Sequence, residues 1–180
     1  ATIGIVGAGR IGQAVARRAR GFNMPVLYYS SSPKPEFEAE CRATRVELDT
    51  LLKNSDFVSL HVPLNDKTRQ LINADRLALM KPSAYLINNA RGPVVDEKAL
   101  YSALSSGRLA GAALDVFATE PTPADNPLLQ LPNVVAAPHI SSASFATREK
   151  MAEMVAENLL AFFAGKEPPD LINPEAFSHI

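Results

Sequence analysis

Two groups of residues have the types and the spacing to do chemistry. The first is Gly7, Gly9 and Gly12, a G-x-G-x-x-G pattern that directly follows an apolar run and opens an amphipathic one. In that setting the first glycine permits a tight turn, the second lets a pyrophosphate approach the backbone, and the third allows close helix-to-strand packing. The amides that open the helix, around Arg10 and Ile11, then face the phosphates with the positive end of the helix dipole. A glycine-rich turn without a ligand is the plain alternative. The second group is Arg91, Glu120 and His139, each just beyond an apolar run. A guanidinium offers a planar fork to an anion, and an imidazole exchanges protons near neutrality. Taken singly, each has an ordinary reading. Arg91 has Asp96 as a possible ion-pair partner, Glu120 sits in a polar loop, and His139 suits a structural role as well as a catalytic one.

The second apolar strand ends at Tyr28 and Tyr29, and Ser30, Ser31 and Ser32 follow at its tip, with Lys34 close behind. A fold that selects NAD usually places a carboxylate here, on the ribose 2′-hydroxyl. Hydroxyl donors and a cation would instead accept the 2′-phosphate of NADP, which a carboxylate would repel. The expected cofactor is therefore NADP in preference to NAD. Serine and proline also favour turns whatever the ligand, so a bare turn over residues 30–35 stays open.

The elements that must position these groups alternate along the chain. Apolar runs at residues 2–6, 26–29, 57–60, 84–88, 109–116 and 134–137 read as buried strands, with a short edge strand at 44–46. Continuous apolar runs of this kind suit a parallel sheet covered on both faces. Between them, Ile11, Val15 and Ala19 recur every four residues up to Gly21, and Leu48, Leu51 and Leu52 repeat the pattern. Residues 96–106 form a helix with Leu100 and Leu104 in its buried stripe. The longest helix, 144–164, carries Met151, Met154, Val155, Asn158, Leu159 and Phe162 along one side. Strand–helix alternation predicts an α/β fold, a doubly wound parallel sheet in a three-layer αβα arrangement. Sites on such sheets lie beyond the carboxyl ends of the strands, so Arg91, Glu120 and His139 should converge on one rim. The proline-rich connection at 119–132 is long enough to expect a functional role.

Composition removes several classes of function. Apolar residues make up 47% of the 180-residue chain and charged residues 21%, which excludes disorder and collagen-like structure. Eighteen Lys and Arg against 19 Asp and Glu leave a net charge of -1, so no global field favours nucleic acid or an anionic membrane. Cys41 is the single cysteine, so neither an internal disulfide nor a thiolate zinc cluster is expected, and no metal site is proposed. No apolar run approaches the roughly 18 residues of a membrane span. A soluble protein of the reducing cytoplasm is the expectation.

The segments GIVGAGRIGQAVARRARGF, SLHVPLNDKTRQLI, LINNARGPVVDEKAL, AGAALDVFATEP and PNVVAAPHISSAS resemble the D-isomer-specific 2-hydroxyacid dehydrogenase family, and within it the glyoxylate and hydroxypyruvate reductases. The resemblance implies a Rossmann-type NAD(P)-binding domain that moves a hydride between a nicotinamide and a small 2-keto or 2-hydroxy acid. It implies that Arg91 holds the substrate carboxylate and carbonyl oxygen, and that His139 is the acid–base residue paired with Glu120. Asp115 would contact the nicotinamide carboxamide. Asn89, Ala90, Ile140 and Ser141 would line the cofactor, and His61, Val62 and Pro63 would border its adenosine side. Each role has a physical reason. Hydride arrival puts charge on the carbonyl oxygen, a histidine can protonate it, and a carboxylate on the other ring nitrogen fixes the tautomer and stabilises the imidazolium.

Family members carry a separate substrate domain, built mainly from a segment preceding the nucleotide domain, and Ala1 reads as a cut in front of a core strand. The expected organisation is a dinucleotide-binding domain over residues 1–165 and a C-terminal tail over 166–180, loosely held, that would return to the absent domain; His179 reads as tail. A homodimer is implied by the resemblance. Two alternatives accompany the enzyme reading: a dinucleotide-sensing module like the corepressor relatives, or a cofactor-binding fragment without turnover.

Overall fold

A computed structural model describes residues 1–177. Its chain separates into two compact units, one ending at His139 and the other beginning at Ile140. This division lies upstream of the 165/166 boundary expected from the linker-like proline stretch.

The first unit holds seven strands: β1 (Ile3–Val6), β2 (Val26–Tyr29), β3 (Ala43–Arg45), β4 (Phe57–Leu60), β5 (Tyr85–Asn88), β6 (Gly111–Leu114) and β7 (Val134–Ala136). Its helices are α1 (Arg10–Gly21), α2 (Pro35–Cys41), α3 (Leu48–Asn54), α4 (Ala74–Leu79) and α5 (Glu97–Ser105). The sheet order is β3-β2-β1-β4-β5-β6-β7 and every pair is parallel. This is the doubly wound order, with its switch point between β1 and β4. Because all strands run one way, every strand ends on the same rim.

Two buried clusters flank the sheet. Ile3, Ile5, Ala16, Ala19, Tyr28 and Phe37 form one, beneath α1 and α2. Val6, Leu51, Leu60, Leu86, Leu100 and Leu104 belong to the larger one, beneath α3, α4 and α5. The chain is therefore an αβα Rossmann-type fold, as its alternating pattern implies.

Three details differ from the sequence reading. The buried face of α1 is Gly12, Ala16 and Ala19, while Ile11 is 65% exposed, because the helix must press Gly12 onto the glycine turn. The strand expected over residues 109–116 is ordered as β6 only at Gly111–Leu114. Helix α2 follows directly on the serine turn, with Pro35 in its first turn, where a missing N–H costs nothing, and Phe37 and Cys41 buried four residues apart.

The second unit contains α6 (Phe145–Phe163), capped by the Ser144 side chain on Thr147 N–H, and α7 (Pro174–Phe177). Met151, Val155 and Leu159, which lie along one side of α6, are exposed, and α6 buries no residue. Its unit offers little apolar surface to receive it beyond the single turn of α7. The tail is nonetheless tied to the helix. Asn158 Nδ2 donates to Asp170 Oδ2 at 2.8 Å, and Asp170 N–H returns a bond to Asn158 Oδ1 at 3.0 Å. His179 lies outside the described residues. Among the described residues no helix is long and apolar enough to cross a membrane, and no group of three His, Cys, Asp or Glu side chains is placed to hold a metal ion.

Candidate active site

The carboxyl rim of the sheet gathers the residues that the sequence singles out. Gly7 follows β1, Ser30 follows β2, His61 follows β4, Asn89 to Arg91 follow β5, Asp115 follows β6 and His139 follows β7. Main-chain hydrogen bonds stitch the tips together. Gly7 N–H donates to the Tyr29 carbonyl at 2.9 Å and His61 N–H to the Val6 carbonyl at 2.7 Å. Further along, Asp115 N–H donates to the Asn88 carbonyl and His139 N–H to the Asp115 carbonyl, both at 2.9 Å.

The glycine motif has distinct physical constraints at each position. Gly7 turns at φ +101°, and a Cβ on Gly12 would stand 2.2 Å from the Gly7 carbonyl oxygen. A Cβ on Gly9 would meet nothing within 4 Å. Gly9 is the N-cap of α1 and no side chain caps that helix end. That helix end lies beside a cavity of about 390 Å³ lined by Gly7, Gly9, Ser30, Ser31, Lys34, His61, Val62 and Pro63. Asn65, Lys67, Thr68 and Leu71 also line that cavity and are missed by sequence reasoning. The T/N/K-rich turn after β4 is the signal that could have found them. Arg10, Ile11 and Ser32 are exposed beside this region, whereas Gly12 is buried. His61 is partly buried, and desolvation pushes its pKa down to about 4, so its ring is neutral at physiological pH, with Nε2 2.9 Å from the Ser59 hydroxyl.

The ionisable group lies at the other end of the rim. His139 Nδ1 is 2.8 Å from Glu120 Oε2. The second carboxylate oxygen, Oε1, accepts from Phe117 N–H at 3.0 Å. Glu120 is held below the usual carboxylate range chiefly by the His139 hydrogen bond, with the Phe117 amide and the Arg91 charge adding to it against partial desolvation. His139 itself has φ +55°, a left-handed backbone that is uncommon for a residue other than glycine and clusters at functional sites. Asp115, Glu120 and His139 border a cavity of about 680 Å³ together with Phe117, Leu129 and Pro138.

Three residues that sequence reasoning passes over build this geometry. Asn88 is 1% exposed; its Oδ1 accepts from Ala90 N–H at 3.1 Å and its Nδ2 donates to the Arg91 carbonyl at 3.0 Å, folding the tip of β5. A Cβ on Gly92 would lie 1.9 Å from the Phe117 carbonyl, so only glycine lets the Arg91 turn touch the loop that carries Glu120. Glu97 accepts from Ala118 N–H and secures the same loop. Arg91 is exposed, with its guanidinium on the Ala90 carbonyl at 2.6 Å. Asp96, its alternative ion-pair partner, instead caps α5 through the Lys98 and Ala99 N–H groups. Asn89 and Ala90 sit on the β5 tip, and Ile140 and Ser141 belong to the second unit.

Fold and rim together define a dinucleotide-binding domain of the Rossmann class. A family model, "D-isomer specific 2-hydroxyacid dehydrogenase, NAD binding domain", matches residues 1–141, and the chain belongs to that family. It is 59% identical over 174 residues to a glyoxylate reductase of Korarchaeum cryptofilum, covering 97% of this chain and 52% of that protein. The TT0316 protein from Thermus thermophilus superposes with a TM-score of 0.90 at 51% identity, over 95% of this chain and 53% of that one. An NAD-complexed D-isomer specific 2-hydroxyacid dehydrogenase from Lactobacillus delbrueckii ssp. bulgaricus gives a TM-score of 0.88 at 37% identity, over 95% and 56%. An acyclic imino acid reductase in complex with NADPH gives 0.83 at 39%, over 95% and 53%. The chain spans about half the length of the curated relatives it matches.

Proposed function

We propose that the protein reduces a small 2-keto acid, glyoxylate or hydroxypyruvate, to the 2-hydroxy acid with NADPH in preference to NADH. The observation that carries this reading is the 2.8 Å contact between His139 Nδ1 and Glu120 on the rim that also bears the glycine turn and Arg91. The open space before Gly9, the uncapped start of α1 and the adjoining cavity fit a pyrophosphate and an adenosine. Bound there, a reduced nicotinamide dinucleotide supplies the hydride.

The chain's own residues account for the rest. Arg91 takes the substrate carboxylate on its planar fork and polarises the ketone oxygen. With Nδ1 committed to Glu120, His139 delivers its proton from Nε2 to that oxygen, and Glu120 stabilises the imidazolium before the transfer. Asp115, Asn89 and Ala90 border the nicotinamide. His61 to Pro63 border the adenosine, where a neutral imidazole adds no charge. Ser30, Ser31, Ser32 and Lys34 favour the 2′-phosphate because none of them repels it. Roles for the whole protein extend to a homodimer, supported by family resemblance, and to the cytoplasm, supported by the single free, buried Cys41.

The test is to follow oxidation of NADPH and of NADH by the full-length protein with glyoxylate and hydroxypyruvate. Turnover with NADPH, abolished in His139→Gln, is the expected result. Cofactor-dependent assembly without turnover would replace the enzyme with a dinucleotide sensor.

A further inference from the structure

The turn between β2 and α2 is braced from beneath at both ends. At its start the Ser30 carbonyl accepts from the Arg45 guanidinium at 3.2 Å. At its end Lys34 N–H donates to the Tyr28 hydroxyl at 3.0 Å, and that hydroxyl donates in turn to the Glu38 carboxylate. Tyr28 is 0% exposed, with its ring edge-on to Phe37 at 5.2 Å between centroids. A phenylalanine would fill that space equally well, so packing does not account for the hydroxyl. Burial first, and the Glu38 bond second, raise the phenol pKa and keep it protonated, which fixes it as donor to Glu38 and acceptor from Lys34.

Residues 30–34 include three serines and a proline, and Ser31, Ser32 and Pro33 are exposed. A segment like this reads an anion well only when its donors are already in place, because ordering it on binding costs affinity. Resting on the NADPH preference argued above, we propose that Tyr28, held by Glu38, is a positioning residue for cofactor specificity: it shapes the serine turn into a receptor for a 2′-phosphorylated ribose. Neither side chain touches the ligand in this scheme. Glu38 serves this scheme as the hydrogen-bond acceptor that orients the phenol.

The experiment is titration of NADPH and NADH, each followed by cofactor fluorescence, into the full 180-residue chain. Wild type is compared with Tyr28→Phe, Glu38→Ala, Glu38→Gln and Ser30→Asp, with thermal melts on every variant. Tyr28→Phe and Glu38→Ala should each weaken NADPH by about tenfold, the scale of one lost hydrogen bond, while NADH moves less than about twofold. Glu38→Gln keeps the acceptor oxygen and should retain wild-type selectivity. Glu38 lies on a partly exposed helical turn, so its variants decide the matter even where Tyr28→Phe does not fold. Equal weakening of both cofactors, or none, overturns the proposal. A wild type that prefers NADPH and loses that preference in Ser30→Asp, yet keeps it in Glu38→Ala, overturns the positioning role alone. A wild type without preference overturns the NADPH reading and this inference with it.

Discussion

Glu120 and His139 are 19 residues apart in sequence and 2.8 Å apart in space, and the carboxylate oxygen that does not meet the imidazole is claimed by Phe117 N–H. The pair is therefore directional. The backbone amide fixes the carboxylate, the carboxylate fixes which ring nitrogen is engaged, and on the function proposed above Nε2 is the atom left for the substrate.

Replacing Glu120 with glutamine preserves an acceptor for Phe117 N–H but removes the charge opposite the imidazolium. In the full-length protein kcat for glyoxylate reduction should fall by about 10²–10⁴, the range typical of general acid–base catalysis, while NADPH affinity stays near wild type. Steady-state kinetics with a parallel binding titration check this. Unchanged kcat would remove Glu120 from the chemistry.

Gly92 is a second test of how the site is assembled. The 1.9 Å approach of its notional Cβ to the Phe117 carbonyl means that Gly92→Ala must push the Arg91 turn off the Glu120 loop. Overpacking of this kind costs about 1–3 kcal/mol, seen as a lower denaturation midpoint. In the whole protein the displaced guanidinium should reduce kcat/KM by at least about tenfold. Wild-type stability in the variant would refute the close approach.

Much of this was legible in the residue order because parallel strands place all their ends on one rim. Once the apolar runs are located, Gly7, Ser30, His61, Arg91 and His139 follow as rim residues without any knowledge of packing. Glu120 is different. Its loop has no periodicity, and its position depends on Phe117, Glu97 and the Gly92 contact, all set by tertiary structure; strand order places it near the rim, but its pairing with His139 follows only from the family resemblance. Tyr28 was hidden for the opposite reason. It reads as one more apolar strand residue, and its hydroxyl network appears only when α2 is folded over it. The mostly apolar side of α6 is legible in its residue order, but such a stripe does not say what covers it.

Stability should carry an acid-sensitive component at the start of the sheet. Asp56 accepts from Lys81 Nζ at 2.7 Å through Oδ1 and from Thr2 N–H at 2.6 Å through Oδ2, which ties β1 to β4 and to the turn before β5. Its pKa is lowered, first by Lys81 and then by Thr2. A carboxyl depressed on folding stabilises above its unfolded pKa of about 3.9, and that contribution disappears as pH falls through the lower folded value. Asp56→Asn should therefore cost about 1 kcal/mol at neutral pH, discounted for partial exposure. The gap in melting temperature from wild type should close as pH drops below about 4. A gap of constant size down to strong acid would show that the ionised form is not what stabilises.

The second and third glycines of the motif should separate binding from folding. Gly9 has φ -79° and open space where a Cβ would point, so Gly9→Ala should fold with a near-normal melting temperature. The added methyl would nonetheless occupy the approach of the pyrophosphate to the start of α1, and NADPH affinity should fall about 10- to 100-fold. Gly12→Ala places its methyl 2.2 Å from the Gly7 carbonyl oxygen, against backbone that cannot move aside without lifting α1 from β1. That variant should lose stability by about 3 kcal/mol or more, and binding with it. Melting each variant with and without NADPH distinguishes them: Gly9→Ala keeps its fold but gains little stabilisation from the cofactor, whereas Gly12→Ala melts low under both conditions. Strong stabilisation of Gly9→Ala by NADPH would place the phosphates somewhere other than the end of α1.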